Sequence, residues 1–476
     1  MLDRIEVKNF KSLKHLNYKC AQLNLLTGVN GAGKSSFVQL LLFLRSIAGR
    51  VKDVSVKIPL ASMSDGSEVL SYDDLKYCYA LPKDPIAFSV DFSIDGTNRL
   101  PFSPFDDDSS GCISRVITKN QNDQIVTIIN PEAIRIDEAF KRDAGDFVSF
   151  HSFSEEWGDW VPMSKDDAEV GSTDPRYKQI EDRRNTQIKE LKEREAKKAS
   201  VFDLLFGNLK MVSAFRERPH EVHMGGSFSN VINVGGVTFN PEGSDIIEFI
   251  SKYGTTKILD KGNPMIFPGD RLRGKVISVP CNQDTLLGQL QLWMNVVSPG
   301  AKIFAESVRV GGSEQVVMSV GFGDDEKDMR KFKPQNVGFG ISYVLPVLVT
   351  LLMSKPGDIV IIENPEAHLH PRGQSAMGNL LARAAAYGIQ LFVETHSDHV
   401  INGVRVAVKK GIVKPKDVNI AFFERMGYNV KSTDGAVHKE YYAEERDIKV
   451  DSRGSLSEYP EDFMDEWNIQ LMELMK

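Results

Sequence analysis

Cysteine is scarce in this sequence, with 4 residues among 476. They are Cys20, Cys78, Cys112 and Cys281, and no two of them have the CxxC spacing. A disulfide framework needs many cysteines and a zinc site usually needs close pairs, so neither is indicated. Scattered cysteines without partners are typical of a reducing compartment, so we expect a cytoplasmic protein.

Long apolar runs are also missing. No stretch reaches the length of about 18 apolar residues that a membrane-spanning helix needs, and even LPVLVTLLM (345–353) is too short. The N-terminus MLDRIEVKNFKSL alternates charged and apolar residues instead of offering the apolar core of a signal peptide. We therefore expect neither export nor a membrane partner.

The chain has no excess of positive charge. Its formal net charge is −7 with 26% charged residues, which argues against a protein that coats nucleic acid through its overall charge. Contact with DNA would have to use a local basic patch. Apolar residues make up 41% of the chain, enough for the cores of two or three folded domains.

Alternating apolar and polar residues predict β-structure early in the chain. Two or three strands are expected before residue 28, and the last of them, LNLLT (23–27), runs into a glycine-rich turn. The following segment, 35–50, is apolar around most of a helical surface, which predicts a buried helix. Residues 86–130 hold alternating segments bounded by Asp, Asn and Gly, which predict antiparallel strands in an α+β first lobe.

The composition changes sharply at about residue 163. Residues 163–200 are a loop and a charged helix with a thin apolar stripe, which predicts an exposed excursion far too short for a long coiled-coil arm. The segment 208–219 returns to a strand, and the glycine-rich stretch 220–275 is interpreted as a loop-rich connector.

A second lobe of α/β type is predicted from residue 288 onwards. It has strands near 315–322, at 358–363 and at 389–395, and a helix after 340. The predicted organisation is an N-terminal lobe (1–162), a charged insertion with its connector (163–275), a C-terminal lobe (276–400) and a C-terminal region (401–476).

The strongest motif is GVNGAGKS, from Gly28 to Ser35, which fits GxxxxGK[ST] at every fixed position. It lies between a predicted strand and a predicted helix, the context that a phosphate-binding P-loop needs. Its glycines let backbone N–H groups turn towards phosphates, Lys34 supplies charge to the β and γ oxygens, and Ser35 offers its hydroxyl to Mg²⁺. The candidate nucleotide ligands in this motif are Asn30, Gly31, Gly33, Lys34, Ser35 and Ser36.

A second motif is VIIENPEAHLHP (360–371), an apolar strand that ends in acids and a proline. Glu363 is a candidate Mg²⁺ ligand and a candidate catalytic residue. Asn364 cannot abstract a proton, so Glu366 becomes the nearest carboxylate able to orient or deprotonate an attacking water. The alternative is that Glu366 only caps a helix after Pro365, because acids favour helix starts.

A third motif, FVETHSDHV (392–400), is a strand that ends in a histidine. His396 is predicted to contact the γ-phosphate, although a histidine after a strand is more often structural. His368, His370, His396 and His399 also allow a reading as a zinc cluster, which the absence of nearby cysteine disfavours.

A fourth motif is NVGFGISYVLPVLVTLL (336–352), in which Gly338 and Gly340 precede an apolar helix. Backbone N–H groups exposed at a helix start are an anion-binding arrangement. We therefore add Gly338 and Gly340 to the candidate phosphate ligands.

With four motifs in this order, the chain resembles the ABC-type ATPase heads of the RecF, Rad50, SMC and OLD group. The likeness is to the bacterial AAA_15/AAA_21 families with a C-terminal DUF3696 region in particular. IEVKNFKSL resembles their first strands, GVNGAGKSS their Walker A, VGFGIS their signature and IIENPEAHLHPRGQ their Walker B. ETHSDHVINGVRVAVKKG resembles their H-loop, and VDSRGSLSEYPEDFMDEW the end of DUF3696. The resemblance is weak between about residues 55 and 205.

The resemblance implies a two-lobed α/β head with ATP and Mg²⁺ held between two copies, as a homodimer or a ring of dimers. Two departures bear on turnover. The usual signature serine falls on Gly338, and the usual Asp-Glu of Walker B falls on Glu363-Asn364. An ATP-gated dimer with slow hydrolysis supported by Glu366 is therefore the preferred interpretation.

Many relatives of this size are encoded beside an effector and resemble the antiphage ATPases of the Septu, retron-associated and PARIS types. This implies an ATP-dependent sensor or scaffold that controls a separate effector, such as an HNH nuclease or a toxin, with DNA or a phage protein as trigger. The alternatives are a DNA-repair or DNA-end-binding ATPase of the RecF/Rad50 type and a self-contained nuclease. Residues 430–476 show only scattered acids, so the sequence gives no sign of a nuclease domain.

Overall fold

The computed structural model describes much of the chain, and most fully its C-terminal half. The described residues are 1–48, 55–57, 72–80, 84–94, 109–119, 125–129, 150–154, 159–163, 205–207, 209–216, 222–224, 246–258, 265, 284–310, 313–323, 329–431 and 437–476. The charged helix predicted within 163–200 lies outside them. No helix in these ranges is long and apolar enough to cross a membrane.

The strands include those predicted before residue 28, within 86–130 and within the second lobe, and also a pair within 418–448 that was not predicted. They are β1 (Leu2–Phe10), β2 (Leu13–Lys19), β3 (Leu23–Gly28), β4 (Ser55–Lys57), β5 (Ile86–Ile94), β6 (Ser109–Lys119), β7 (Ile125–Ile129), β8 (Phe150–Ser154), β9 (Asp159–Met163), β10 (Lys210–Val212), β11 (Val222–Met224), β12 (Ala301–Val310), β13 (Ser313–Phe322), β14 (Lys331–Phe332), β15 (Ile359–Glu363), β16 (Gln390–Glu394), β17 (Val418–Lys431) and β18 (Val437–Ile448).

The described helices pack mainly around the strands of the C-terminal half. They are α1 (Lys34–Ile47), α2 (Tyr72–Leu75), α3 (Ile246–Tyr253), α4 (Leu286–Val297), α5 (Phe339–Met353), α6 (Pro371–Tyr387), α7 (Asp398–Lys409) and α8 (Glu466–Met475). The buried helix predicted at 35–50 is confirmed by α1, and the helix predicted after 340 by α5.

One six-stranded sheet runs through the centre of the molecule, in the order β10-β15-β16-β3-β17-β18. Its pairs are parallel except for the antiparallel β17–β18 hairpin. Strands of such a sheet are covered on both faces and read as continuous apolar runs. In β15, Ile359 and Ile361 face one core while Val360 and Ile362 face the other.

The two faces of the central sheet are covered by different parts of the chain. One face packs against α1 and the sheet β2-β1-β5-β6-β7-β4, whose antiparallel pairing confirms the prediction for 86–130. The ring of Phe37 in α1 lies 6.1 Å from those of Phe392 and Phe423. Truncating such a buried ring to alanine typically costs about 3–5 kcal/mol.

The other face packs against α3 to α7 and the sheet of β11, β13 and β12, with β14 paired to β13. This part of the structure includes one helix, α3, that the glycine-rich composition of 220–275 did not predict. Within the connector interpreted as loop-rich, α3 has the sequence IIEFISKY and buries Ile246, Ile247, Phe249 and Ile250. These positions form one helical face, which explains their burial.

Strands from distant parts of the chain share the central sheet. β3 comes from the range 1–162, β15 and β16 from 276–400, and β17 and β18 from 401–476. The predicted α/β class with an α+β first lobe is confirmed. Because the strands are parallel, the turns after β3, β15 and β16 meet at one edge of the sheet, as ligand-binding turns do in folds of this kind.

Candidate functional site

The turn between β3 and α1, residues 28–33, is here called the phosphate turn. Its three glycines have positive φ angles of 130° at Gly28, 77° at Gly31 and 113° at Gly33. A Cβ at Gly28 would lie 2.1 Å from the Phe423 carbonyl oxygen, and one at Gly33 2.4 Å from the Ala443 Cβ. Both positions therefore require glycine for space as well as for backbone conformation.

Lys34 lies on the inner side of the phosphate turn. Its Nζ donates to the carbonyl oxygens of Gly28 at 2.8 Å and Val29 at 3.0 Å. Burial lowers the pKa of Lys34, and the Glu394 carboxylate partly opposes this. The N-cap residue of α1 is Gly33, and neither a capping side chain nor an acid occupies its first turn. The backbone N–H groups there are thus available to an anion, and Asn30 and Gly31 at the tip are exposed.

Two serines follow Lys34 and point to different neighbours. The Ser35 hydroxyl lies 3.4 Å from Oε1 of Glu394, the last residue of β16. The Ser36 and Ser12 hydroxyls are 2.8 Å apart. Burial raises the pKa of Glu394, and the neighbouring Glu363 carboxylate raises it further. A carboxylate next to the P-loop serine is a suitable oxygen ligand for Mg²⁺.

The turn after β15, residues 364–370, is here called the acidic turn. Glu363, the last residue of β15, accepts a hydrogen bond at 2.9 Å from the Ala214 backbone N–H. Asn364 has a φ of 45°, a left-handed conformation that asparagine tolerates better than most residues. Its backbone N–H donates to the Glu394 carbonyl oxygen at 2.8 Å. The left-handed backbone at position 364 therefore suits asparagine.

Glu366 folds back from the acidic turn onto the end of β16. Its two carboxylate oxygens accept hydrogen bonds at 2.9 Å from the Thr395 hydroxyl and from the His396 backbone N–H. Burial raises the pKa of Glu366 against the opposing effect of these bonds and of Arg216. Glu366 does not cap a helix after Pro365, because α6 begins at Pro371 and its N-cap is His370.

His396 follows β16, which pairs directly with the strand of the phosphate turn. Partial burial lowers the pKa of His396, and the charge of Lys34 lowers it further. A neutral imidazole within the field of the P-loop lysine is suited to donate or accept a hydrogen bond with a phosphate oxygen. The structure thus brings His396, Glu366 and Lys34 into one neighbourhood.

Arg216 is a part of the site that sequence reasoning missed. Its guanidinium is buried and donates to the carbonyl oxygens of Glu363, Asn364 and Tyr343. Burial lowers the pKa of Arg216 to about 10, although the Glu366 and Glu363 carboxylates oppose this. Arg216 therefore ties the acidic turn to α5. The only sequence feature that could have indicated this role is the position of Arg216, four residues after the short strand KMV.

The start of α5 is the fourth predicted motif. Nothing lies within 4 Å of where a Cβ of Gly338 would be, and the neighbouring Phe339 is 52% exposed. A Cβ at Gly340, by contrast, would lie 2.5 Å from the His368 carbonyl oxygen. The glycine at 340 therefore has a packing reason, while Gly338 leaves an open N-terminus. The close approach of Gly340 to the His368 carbonyl oxygen joins this end of α5 to the acidic turn.

The histidines of the acidic turn have structural contacts. The His368 ring lies 4.6 Å from that of Tyr343 and 5.8 Å from that of Phe339, and His370 Nδ1 accepts from the Arg372 backbone N–H. Across the part of the chain that the structure describes, no three His, Cys, Asp or Glu side chains are close enough to hold a metal ion. A Mg²⁺ ion at a P-loop needs only one or two protein ligands, since phosphates and water complete its shell.

Two family models match the chain. The model described as "AAA domain, putative AbiEii toxin, Type IV TA system" matches residues 23–402, and a model for a family of unknown function, DUF3696, matches residues 413–474. The first match spans the phosphate turn, the start of α5, the acidic turn and His396. No curated protein matches the chain.

Several solved structures are similar over most of the chain. An SMC head bound to the C-winged helix domain of ScpA has 13% identity and a TM-score of 0.40, with 93% of this chain and 97% of that chain covered. A Pyrococcus furiosus Smc head with an extended coiled coil has 13% identity and a TM-score of 0.41, with 100% and 99% covered. A Thermotoga maritima SMC head has 11% identity and a TM-score of 0.34, with 92% and 98% covered. From the family match and the motifs that it spans, the chain belongs to this AAA-domain family.

Proposed function

We propose that the protein binds ATP with Mg²⁺ and hydrolyses it slowly. The observation that carries the proposal is the meeting of two opposite charge environments at one sheet edge. Lys34 at the start of α1 interacts with the Glu394 carboxylate, and that carboxylate in turn lies in the field of those of Glu363 and Glu366. An anion and a divalent cation bound together satisfy both, and a nucleoside triphosphate with Mg²⁺ is such a pair.

The residues divide the work between binding and turnover. Lys34 and the phosphate turn hold the triphosphate, while Ser35 offers its hydroxyl to Mg²⁺ together with Glu394 or Glu363. When bound, Mg²⁺ neutralises charge that develops on the phosphate oxygens. Glu366 orients and deprotonates the attacking water, and Thr395 and the His396 N–H hold its carboxylate in place. His396 hydrogen-bonds the γ-phosphate.

Nucleotide binding is tested with Lys34→Ala, measured by calorimetric titration with ATP and Mg²⁺. We expect loss of binding, because the variant lacks the side-chain charge at the β and γ phosphates. Lys414→Ala is the matched control, since Lys414 is exposed and lies just before β17, at the opposite edge of the sheet. Unchanged affinity in Lys34→Ala would overturn the proposed site.

We also propose that two copies assemble around ATP, with the open start of α5 meeting the phosphates bound by the partner. Gly338 offers a clean test because its φ of −60° and open surroundings accept other residues. Gly338→Asp places a charge at this N-terminus, where it also serves as a good helix cap. ATP-dependent dimers should be lost in Gly338→Asp and kept in Gly338→Ser, with equal ATP affinity, as measured by light scattering. Dimers of equal stability in both variants would contradict the assembly.

We propose that this assembly acts in the cytoplasm as the sensor or scaffold of an antiphage system and controls a separately encoded effector. The family description, which names a toxin–antitoxin system, supports a paired partner. The product of the neighbouring open reading frame is the natural candidate. Its co-purification with the wild-type protein in ATP, and its release in Lys34→Ala, is the expected result. If it does not bind, and instead duplex DNA binds in a salt-sensitive way, the DNA-end-binding alternative holds.

A further inference from the structure

The hairpin of β17 and β18 reaches beyond the central sheet at the edge where the phosphate turn lies. β17 pairs with β3 only from Val418 to Phe423, where β3 ends at Gly28. The pairing of β17 with β18 continues for eight more residues along β17, to Lys431 opposite Val437. This outer part of the hairpin, residues 424–431 and 437–444, therefore extends past the end of β3 and lies next to the phosphate turn.

One face of the hairpin touches the start of α1. The Ala443 side chain points at Gly33, where an added Cβ would lie 2.4 Å away. The Ala443 backbone N–H also donates to the Ser12 carbonyl oxygen at 2.8 Å, and the Ser12 hydroxyl bonds that of Ser36. β18 is thus tied to both ends of the Gly33–Ser36 segment, the first turn of the phosphate-binding helix.

The same face continues outward with an exposed aromatic and basic surface. Side chains alternate along a strand, so Tyr441 lies on the face of Ala443. Its ring packs over Gly427 of the neighbouring strand, where a Cβ would come within 3.0 Å of it. The Arg425 guanidinium lies 4.3 Å from the Tyr441 ring centre and the Lys439 ammonium 5.3 Å. Tyr441 is 36% exposed, and the Tyr77 hydroxyl fixes its strand through a 3.0 Å bond to its carbonyl oxygen.

The order of strands gives the direction of a nucleotide bound at the phosphate turn. Glu363, Glu394 and His396 lie on the β15–β16 side of β3, and the hairpin lies on the β17 side. The γ-phosphate and Mg²⁺ belong with the acids and the histidine, so the nucleoside end points to the hairpin. Building on the proposed ATP site, we propose that Tyr441 and Arg425 form the platform on which the purine ring of the nucleotide stacks.

This platform recognises the flat face of a base and its size. A tyrosine ring and a guanidinium plane both stack on aromatic rings, and the larger purine covers more of the surface than a pyrimidine does. The glycine at 427 is explained by the same arrangement, since a side chain there would push the Tyr441 ring off the hairpin.

The test compares three ligands, each titrated calorimetrically with Mg²⁺: ATP, CTP and inorganic tripolyphosphate. Stacking on an aromatic side chain contributes enough that Tyr441→Ala should weaken ATP binding about tenfold. Tripolyphosphate has no base, so its affinity should not change. The wild-type preference for ATP over CTP should shrink in the same variant, and Tyr441→Phe should bind ATP as the wild type does.

Tyr428→Ala is the matched control, because Tyr428 lies on the opposite face of the same hairpin, under Lys14. The proposal is overturned if Tyr441→Ala leaves ATP affinity unchanged, or if it weakens tripolyphosphate as much as ATP. The second result would mean that the hairpin only supports the phosphate turn. Failure of the ATP site itself looks different, because the wild type would then bind neither ATP nor tripolyphosphate.

Discussion

The phosphate turn and the acidic turn follow neighbouring parts of one sheet at the same edge. They differ in the charge that they present to a ligand. The phosphate turn uses glycines, backbone N–H groups and Lys34 to receive an anion. The acidic turn lies among carboxylates, and its two left-handed residues are Asn364 and His368, neither of them a glycine. A motif that depends on backbone conformation can be recognised from its glycines in the sequence. A site that depends on side chains from several elements cannot, because the partner residues are far apart along the chain.

Charge balance at the acidic turn shows this dependence. Three glutamates lie close together, and burial raises the pKa of both Glu366 and Glu394. The compensating charges come from elsewhere in the chain, as Lys34 from α1 and Arg216 from the segment after β10. Arg216 lies beneath the turn and holds its carbonyl oxygens. The burial of these acids therefore depends on α1 and on the segment after β10, which supply the opposite charges.

The largest expected effect is that of Glu366→Gln on turnover. The amide keeps the shape and removes the base, so phosphate release at saturating ATP should fall by about 100-fold or more. ATP affinity and the closed assembly should remain. Glu363→Gln is the matched comparison and should lower phosphate release less. Native turnover in Glu366→Gln would assign the base to another residue.

A smaller effect is expected where the two turns meet at Mg²⁺. The Ser35 hydroxyl lies beside Glu394, while Glu363 is held by the Ala214 N–H. Glu394→Gln should therefore raise the Mg²⁺ concentration needed for half-maximal ATP binding by about tenfold. Glu363→Gln should raise it less, as measured by titrating Mg²⁺ at fixed ATP. The reverse order would return the ligand role to Glu363.

Much of the fold was predictable because its signals are local. The strands around the phosphate turn and the buried α1 follow from hydrophobic period and glycine placement, and the structure places them within a few residues of the prediction. Two features were not predicted: the hairpin of β17 and β18, and α3, whose eight residues are hidden in a glycine-rich stretch. Local composition conceals a short helix when its apolar face is explained only by a distant partner.

The candidate site was predictable in part. Its motif residues were named from sequence, and the structure brings Lys34, Glu363, Glu366 and His396 together. Arg216 was missed because its role rests on hydrogen bonds to carbonyl oxygens more than 100 residues away along the chain. The direction of the Glu366 side chain was also beyond reach, since Thr395 and His396 determine it.

The pH dependence of phosphate release and of ATP binding separates the role of Glu366 in the acidic turn from that of Lys34 at the phosphate turn. A base works when deprotonated, and burial raises the pKa of Glu366 above the usual range for glutamate. Phosphate release should therefore fall several-fold as the pH drops through this raised pKa. Saturating Mg²⁺ separates this loss from protonation of Glu394, whose pKa is also raised. Lys34 keeps its charge over the same range, so ATP binding should persist. A flat rate down to the ordinary glutamate range would contradict Glu366 as base.

The smallest effect concerns Asn364, the first residue of the acidic turn. Asn364 has a φ of 45°, and most other side chains in this conformation cost about 1–2 kcal/mol. Asn364→Glu should lower the free energy of unfolding by about that amount in urea titration. Glycine accepts this conformation, so the free energy of unfolding of Asn364→Gly should stay within about 0.5 kcal/mol of the wild type, once the greater conformational freedom of glycine in the unfolded chain is allowed for. If Asn364→Glu is as stable as the wild type, the turn adapts to the new side chain. If Asn364→Glu releases phosphate faster than the wild type, a carboxylate at position 364 is a more effective base than Glu366. We expect no such gain, because the Glu366 carboxylate is already held by Thr395 and the His396 N–H at the end of β16.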